Sequence, residues 1–128
     1  MKIKNAQFGE MEFNEEQIIR FEGGLAGFEE HKKFLLVQLD LILFSWLVSI
    51  DEPELVFPLV PISTLVENFP TEVNTNPFGI VTFNSDPTKI TVNLRTPLYI
   101  NTEKNVGYQR ILDKYKTNYP LFVKTDEE

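Results

Sequence analysis

The sequence predicts an all-β, mainly antiparallel fold: a single small curved sheet or partly open β-barrel with one or two short helices. The first observation is the segment 89–101, in which apolar residues such as Val92 and Leu94 alternate with polar ones. The second is the presence of eleven Phe and four Tyr in 128 residues, because aromatic side chains fit a pleated surface. The third is the set of short turns rich in Gly, Pro, Asn and Asp between apolar runs. Pro97 lacks an amide hydrogen, so we expect a bend or an edge position within the long strand.

Length and charge narrow the class of protein. One hydrophobic core fits in 128 residues, so we expect a single domain over residues 1–128. A net charge of −7 disfavours direct binding to nucleic acid and suits a basic protein partner. Without cysteine the chain has no disulfides and no thiolate metal ligands. We expect a cytoplasmic protein that does not enter the membrane, because the N-terminus lacks an apolar signal segment and the apolar run 34–50 is short and contains Asp40.

Four strands are predicted in the N-terminal half, at residues 2–5, 10–13, 34–39 and 43–50. The first pair forms a hairpin around Phe8-Gly9, and the second pair turns near Asp40. Asn14 and Gln17 have the spacing of a capping box, which predicts a single helical turn. Glu–Lys pairs at helical spacing predict a short helix from Phe28 to Lys33.

The C-terminal half contains three further predicted strands, at 55–60, 78–83 and 89–101. Between the first two, apolar residues from Ile62 to Phe69 are spaced for a short amphipathic helix, and 70–77 reads as loop. After Asn105 the signals conflict, because the spacing of tyrosines fits a helix whereas Val106-Gly107-Tyr108 opens like a strand. The expected core consists of Ile3, Phe13, Phe34, Leu36, Trp46, Val48, Phe57, Leu59, Val81, Ile90, Val92, Leu94 and Leu98.

The residue types needed for catalysis are scarce. His31 is the only histidine, and its charged neighbours indicate a solvated side chain rather than a catalytic base. The acids Asp51, Glu52 and Glu54 cluster, but a turn that points three carboxylates into water explains them more simply than a glycosidase pair. Metal-ligand spacing and phosphate-binding glycine motifs are also missing from the sequence. We therefore expect no enzyme activity, no cofactor and no metal.

Four blocks of sequence follow one another in an informative order: Gly9-Glu10, Gly24–Glu29, Trp46-Leu47 leading to Asp51–Phe57, and TVNLRTPLYIN at 91–101 followed by Gly107-Tyr108-Gln109 and Ile111-Leu112. In order and spacing these blocks resemble the flagellar assembly factor FliW family. The chain departs from the family pattern at Val48, where glutamine is usual, and at Asn105-Val106, where a basic pair is usual. The segment 62–77 is also shorter than in typical members, which often carry an extra acidic stretch.

The resemblance implies a β-rich protein without enzyme activity that exchanges protein partners in the bacterial cytoplasm. Members bind newly made flagellin and also CsrA, a small basic RNA-binding repressor of flagellin translation. Unexported flagellin occupies the FliW protein and leaves CsrA free to repress, whereas export frees the FliW protein to hold CsrA off its messenger. The resemblance also implies a strand at about 106–112, and we expect a monomer in the absence of partners.

A second function remains open on the residues alone. Curved antiparallel sheets often enclose a ligand, and eleven Phe could line an apolar cavity, which would make the chain a small-molecule-binding β-barrel protein. A filled barrel interior favours the partner-exchanging protein, and a large apolar cavity favours the ligand binder.

Three groups of residues are candidates for partner binding, because they belong to the family blocks and lie at predicted turns or strand rims. The first group is Phe28, Glu29 and Glu30; the second is Asp51, Glu52 and Glu54; the third is Asn93, Arg95, Asn101 and Gln109. Each has a plainer structural explanation, as a packed aromatic ring, a solubilising turn or a set of backbone caps. The acidic turn is the preferred electrostatic contact for basic CsrA.

Overall fold

The computed structural model describes residues 1–38 and 44–122. The predicted turn at Asp40, the adjoining ends of the strands predicted at 34–39 and 43–50, and the acidic tail from Thr125 lie outside the described residues.

Ten strands account for most of the regular structure of residues 1–38 and 44–122. They are β1 (Lys2–Asn5), β2 (Gly9–Glu12), β3 (Ile19–Arg20), β4 (Lys33–Gln38), β5 (Ser45–Ser49), β6 (Val56–Pro61), β7 (Asn76–Thr82), β8 (Thr91–Asn101), β9 (Val106–Gln109) and β10 (Tyr119–Pro120). Single 3-10 turns occupy Glu15–Gln17, Ile62–Thr64 and Pro87–Lys89.

Seven strands close into a barrel in the order β8-β7-β6-β5-β4-β3-β9, with β9 returning to β8. Every pair is antiparallel except β3 with β9, which meet at Arg20 and Val106. The barrel closes tightly at Gly107, because a Cβ there would lie 2.5 Å from the ring of Phe21. The all-β prediction is confirmed, and the sheet is a closed barrel rather than a partly open one.

The two-stranded sheet of β1 and β2 packs outside the barrel. Ile3 and Phe13 contact one surface of β4 and β5 there, through Leu35 and Val48. The other surface of these strands faces the barrel interior, which is filled by Ile19, Phe21, Leu25, Phe34, Leu47, Phe57, Leu59, Phe78, Leu98 and Ile100. Strands β4 and β5 are therefore covered on both faces.

Strand β8 departs from the predicted alternation in its second half. Its pairing with β7 shifts between Ile80 with Asn93 and Phe78 with Leu98, which leaves extra residues of β8 in a bulge. The Asn93 side chain stabilises this bulge by accepting the amide hydrogens of Arg95 and Thr96 at 2.9 and 3.0 Å. Beyond the bulge both faces are buried, including the odd-numbered positions that were expected to be solvated.

Both predicted helices are wrong. In place of the first helix, residues 25–31 form two consecutive tight turns, in which Phe28 N–H donates to Leu25 O and His31 N–H donates to Phe28 O, and Lys33 already begins β4. The cause is local: Gly27 adopts φ +87°, and its N–H donates to the Glu29 carboxylate instead of extending a helix. The helix predicted from Ile62 to Phe69 is a single 3-10 turn, because Asn68 adopts φ +60° and Pro70 follows.

The remaining expectations are mostly confirmed. The β1–β2 hairpin forms, and Asn14 N–H donates to the Gln17 side chain as a capping box requires. The strand expected at 106–112 ends at Gln109, and the following segment is irregular, with Leu112 N–H donating to Arg95 O. Ten of the thirteen predicted core residues are buried, whereas Leu36, Trp46 and Ile90 are half-buried at the margins of their clusters.

Candidate partner-binding site

The acidic turn, residues 51–54, connects β5 to β6. Its backbone is fixed at both ends, because Glu52 N–H donates to Ser49 Oγ and Leu55 N–H donates to Glu52 O. Asp51, Glu52 and Glu54 are exposed, and none of them forms an ion pair with any residue in the described ranges. The turn therefore presents uncompensated negative charge on a rigid backbone.

Phe28 lies beside the mouth of the barrel. Its ring packs edge-on against Phe57 with centroids 5.1 Å apart, yet 39% of the residue remains exposed. Glu29 and Glu30, which follow it, are both exposed. Backbone N–H groups of Glu29 and Gly27, with a smaller contribution from Lys32, hold the pKa of the Glu29 carboxyl below its usual value. Glu29 is therefore ionised at neutral pH.

The loop of residues 24–32, which we call the Phe28 loop, is a neighbour of the acidic turn. His31 Nδ1 lies 3.2 Å from Ser49 Oγ, the same hydroxyl that accepts Glu52 N–H. One serine at the end of β5 thus connects the loop to the turn. The structure brings two of the three predicted groups into one region, with five carboxylates near a partly exposed aromatic ring.

The tip of the β1–β2 hairpin supports the acidic turn from the other side. Asn5 Nδ2 donates to Pro53 O at 2.6 Å, and Ala6 N–H donates to Glu54 Oε2 at 2.9 Å. Asn5 is only 3% exposed. Sequence reasoning missed this contact; the signal was an Asn four residues before Gly9 in a predicted hairpin turn. Glu54 is partly committed to this contact, whereas Asp51 and Glu52 have only solvent-facing carboxylates.

The third predicted group is divided along β8, with Asn93, Arg95 and Gln109 around the bulge and Asn101 at the end of the strand. Asn93 lies before the bulge of β8 and Asn101 at its end, where Asn101 Oδ1 accepts the amide hydrogens of Glu103 and Lys104. Arg95 pairs with Asp113 at 3.1 Å. Gln109 accepts Ala26 N–H and donates to Thr96 O, beside an open depression of about 300 Å³. All four side chains make hydrogen bonds within the protein.

Comparison with known proteins places this architecture in one family. The family model described as "FliW protein" matches residues 2–121. A flagellar assembly factor FliW of Thermosipho africanus is 36% identical over 135 aligned positions, covering 91% of this chain and 93% of that protein. The corresponding protein of Lachnospira eligens is 32% identical and covers 95% of each. The chain belongs to the FliW family.

A solved structure supports the same relationship. The crystal structure of a flagellar assembly factor FliW superposes with a TM-score of 0.84 at 31% identity, covering 95% of this chain and 97% of the other. The four blocks that carried the resemblance lie in β2, the Phe28 loop, β5 with the acidic turn, and β8 with β9. In this FliW family member, the second and third blocks meet where the ring of Phe28 packs against Phe57, which follows the acidic turn in β6.

A polar network around Glu72 was not foreseen from the sequence. Its carboxylate accepts Tyr108 Oη–H at 2.5 Å and both Nε–H and a terminal N–H of Arg110. The Tyr108 hydrogen bond and the Arg110 guanidinium lower the pKa of the Glu72 carboxyl, and burial together with Glu72 raises the pKa of Tyr108. The network anchors the segment before β7 to β9. No local spacing relates Glu72 to Tyr108 and Arg110, which follow it by 36 and 38 positions.

Ligand chemistry has little support in the described part of the FliW fold. No three His, Asp or Glu side chains among these residues converge as metal ligands would. The barrel interior is occupied by fully buried side chains such as Phe21, Phe34 and Leu59. Within the same ranges, no helix is long and apolar enough to cross a membrane.

Proposed function

We propose that this FliW family member is a cytoplasmic flagellar assembly factor without enzyme activity, which binds flagellin and CsrA in alternation and acts as a monomer between partners. The observation that carries the proposal is the group of five exposed carboxylates in two neighbouring segments, 28–30 and 51–54, none of which forms an ion pair within residues 1–38 and 44–122. Such a region is suited to a basic protein surface.

Electrostatics explains why this region fits CsrA better than it fits a nucleic acid. A chain of net charge −7 repels phosphates and attracts a basic protein over distances of about a Debye length. Exposed rim charges mainly accelerate association, and a desolvated aromatic ring contributes to lifetime. Phe28 supplies such a ring next to the acids.

The filled barrel supports protein binding over small-molecule binding. Drug-sized ligands occupy enclosed pockets of roughly 300–1,000 Å³. The depressions found on the described surface are open, and the interior of the barrel is packed with side chains. The packed interior of the barrel therefore favours the partner-exchanging protein over the ligand binder.

The proposal is tested with three purified components: this chain, and the CsrA and flagellin of the bacterium that encodes it. Binding of CsrA to flagellin leader RNA is measured by fluorescence anisotropy while the chain is titrated in. We expect the chain to displace the RNA, and an excess of unassembled flagellin to restore RNA binding.

Two results would contradict the proposal. If CsrA does not bind the chain at micromolar concentration, the chain is not a CsrA antagonist. If CsrA and flagellin bind at the same time without affecting each other, the partners do not alternate. Bovine serum albumin, another acidic protein, serves as the control for non-specific displacement of RNA.

A further inference from the structure

Four aromatic rings form a patch on the outside of the barrel, which we call the aromatic patch: Phe8, Phe44, Trp46 and Phe83. Trp46 lies at its centre, with centroids 5.7 Å from Phe8, 6.3 Å from Phe44 and 5.9 Å from Phe83. The rings come from the β1–β2 turn, the residues entering β5 and the end of β7.

The aromatic patch is incompletely covered. Phe83 is 45% exposed, and the other three residues are half-buried. Trp46 Nε1 is buried and has no hydrogen-bond partner among the residues described. Single exposed apolar residues are ordinary, but a contiguous cluster of rings is typical of a surface that a partner covers.

The hairpin tip links the aromatic patch to the acidic turn. Asn5 Oδ1 accepts the amide hydrogens of Gln7 and Phe8, while its Nδ2 donates to Pro53 O in the acidic turn. A single buried side chain therefore positions Phe8 against Trp46 and also holds the acidic turn. The two surfaces are adjacent and share one support.

The hairpin beside the aromatic patch and the acidic turn differ in how far their charges are compensated. On the hairpin, Lys2 lies within 3.9 Å of carboxylates of both Glu10 and Glu12, so part of the negative charge there is compensated. The acidic turn has no such compensation in the part of the chain that the structure describes. A partner that covers both ends must bring positive charge to the turn and apolar side chains to the rings.

We propose that the aromatic patch and the acidic turn form one continuous docking surface for a basic polypeptide that also presents apolar side chains. This inference rests on the proposed function, since it takes the acidic turn as the contact for the basic partner. The acids accelerate the encounter, and the rings slow dissociation by excluding water from the contact.

The kinetics of CsrA binding to immobilised variants test whether the rings act on dissociation while the acids act on association. Phe83→Ser removes the most exposed ring of the patch, and Ile111→Ser is the matched control, because Ile111 is 71% exposed and follows β9 on the other side of the barrel. We expect Phe83→Ser to raise the dissociation rate constant about tenfold, as loss of an interface anchor does. Its association rate constant should change by less than about twofold. Ile111→Ser should leave both constants unchanged.

A second measurement needs no substitution in the patch. The chain contains one tryptophan, so the ¹⁵N-labelled protein gives one indole N–H signal, from Trp46. We expect unlabelled CsrA to shift or broaden this signal at stoichiometric concentration. Thermal melting of Phe83→Ser shows whether a loss of CsrA binding is caused by unfolding of the variant. If the variant is unfolded, the indole signal of the unchanged chain shows whether CsrA contacts the aromatic patch.

The outcomes separate this inference from the function on which it rests. If CsrA does not bind the unchanged chain, the proposed function fails. A different outcome is that CsrA binds the chain and substitutions in the acidic turn slow its association, while the indole signal does not move and Phe83→Ser behaves like Ile111→Ser. The acidic turn then binds CsrA without the aromatic patch. In that case only the continuous surface is wrong.

Discussion

The acidic turn and the polar residues of β8 and β9 are both polar, both at the barrel surface and both part of the blocks shared with the FliW family. They differ in where their hydrogen bonds go. Asn93, Asn101 and Gln109 direct theirs to backbone groups of this chain. Asp51 and Glu52 direct their carboxylates to solvent.

This difference separates residues that maintain the fold from residues available to a partner. A side chain whose polar atoms already have partners loses hydrogen bonds when another protein engages it, whereas a solvated carboxylate exchanges only water. We therefore assign Asn93 and Asn101 to the β8 bulge and the β8–β9 turn, and propose only the acidic turn as a partner contact. The predictions below test that assignment.

The largest effect is expected in the strand that carries the polar group. Leu94, 2% exposed, lies between Asn93 and Arg95 and faces the cluster with Val92 and Tyr99. Leu94→Ala should lower the free energy of unfolding by about 2–5 kcal/mol, because it removes buried methyl groups and leaves a cavity. Urea denaturation measures this change. A loss below about half a kcal/mol would place Leu94 outside the core.

Asn101→Ala should be the next most disruptive change. Its Oδ1 accepts two amide hydrogens in the turn between β8 and β9, and the residue is 9% exposed. Loss of such a cap typically costs about 1–2 kcal/mol. Asp51→Ala is the matched change in the acidic turn, and its effect should stay within about half a kcal/mol. If both variants lose the same free energy of unfolding, Asn101 does not differ from Asp51 in its contribution to the fold.

Much of the fold could be predicted because it depends on local signals. Alternating apolar residues locate β8, and turn residues such as Asn5 and Gly9 delimit the first hairpin. The two predicted helices failed because single residues, Gly27 and Asn68, adopt positive φ. The spacing of charged residues near Phe28, and of apolar residues from Ile62 to Phe69, carries no information about a single residue with positive φ.

The candidate site could be predicted only in part, for a physical reason. Phe28 and the acids were identifiable as exposed residues at turns, but their proximity depends on Ser49, which His31 and Glu52 both contact. The aromatic patch and the Glu72 network are assembled from residues far apart in the sequence, and Phe8 of the patch comes from the separate β1–β2 sheet. Sequence spacing does not encode contacts of this kind.

Reversing charge in the acidic turn should affect association more than stability. Because Glu54 accepts Ala6 N–H, the variant is restricted to Asp51→Lys with Glu52→Lys, which leaves the hairpin contact intact. We expect the association rate constant with CsrA at low salt to fall by roughly threefold to tenfold, and its salt dependence to weaken. Stopped-flow measurements at several salt concentrations test this expectation.

The control for that experiment carries the same change in net charge elsewhere. Glu67→Lys with Glu103→Lys alters two exposed acids that form no ion pair within the described ranges. It should reproduce only the part of the slowing that comes from net charge. If the two double variants slow association equally, the position of the acidic turn is irrelevant and the contact lies elsewhere.

The smallest effect on stability is expected for Glu72, whose carboxylate is bound by Tyr108 and Arg110. Glu72→Gln retains an acceptor for Tyr108 but removes the charge that faces Arg110, with which Glu72 now pairs at 3.1 Å. At pH 7 the variant should be less stable than the unchanged chain by up to about 1 kcal/mol, as is typical for a partly exposed pair. Glu52→Gln, a change of the same chemistry in the acidic turn, should leave stability unchanged.

The pH dependence of that small difference gives the sharper test. The folded pKa of Glu72 lies below the usual value of 4.5, so its ionised form stabilises the folded state above pH 4.5. That stabilisation is lost as pH falls through the folded pKa, because the folded protein then takes up the proton that the unfolded chain already holds. Urea denaturation at successive pH values from 7 downwards should therefore show the Glu72→Gln curve converging with that of the unchanged chain below pH 4.5. A difference that persists unchanged in acid would mean that the glutamine disturbs packing around Tyr108 and that the charge of Glu72 contributes nothing.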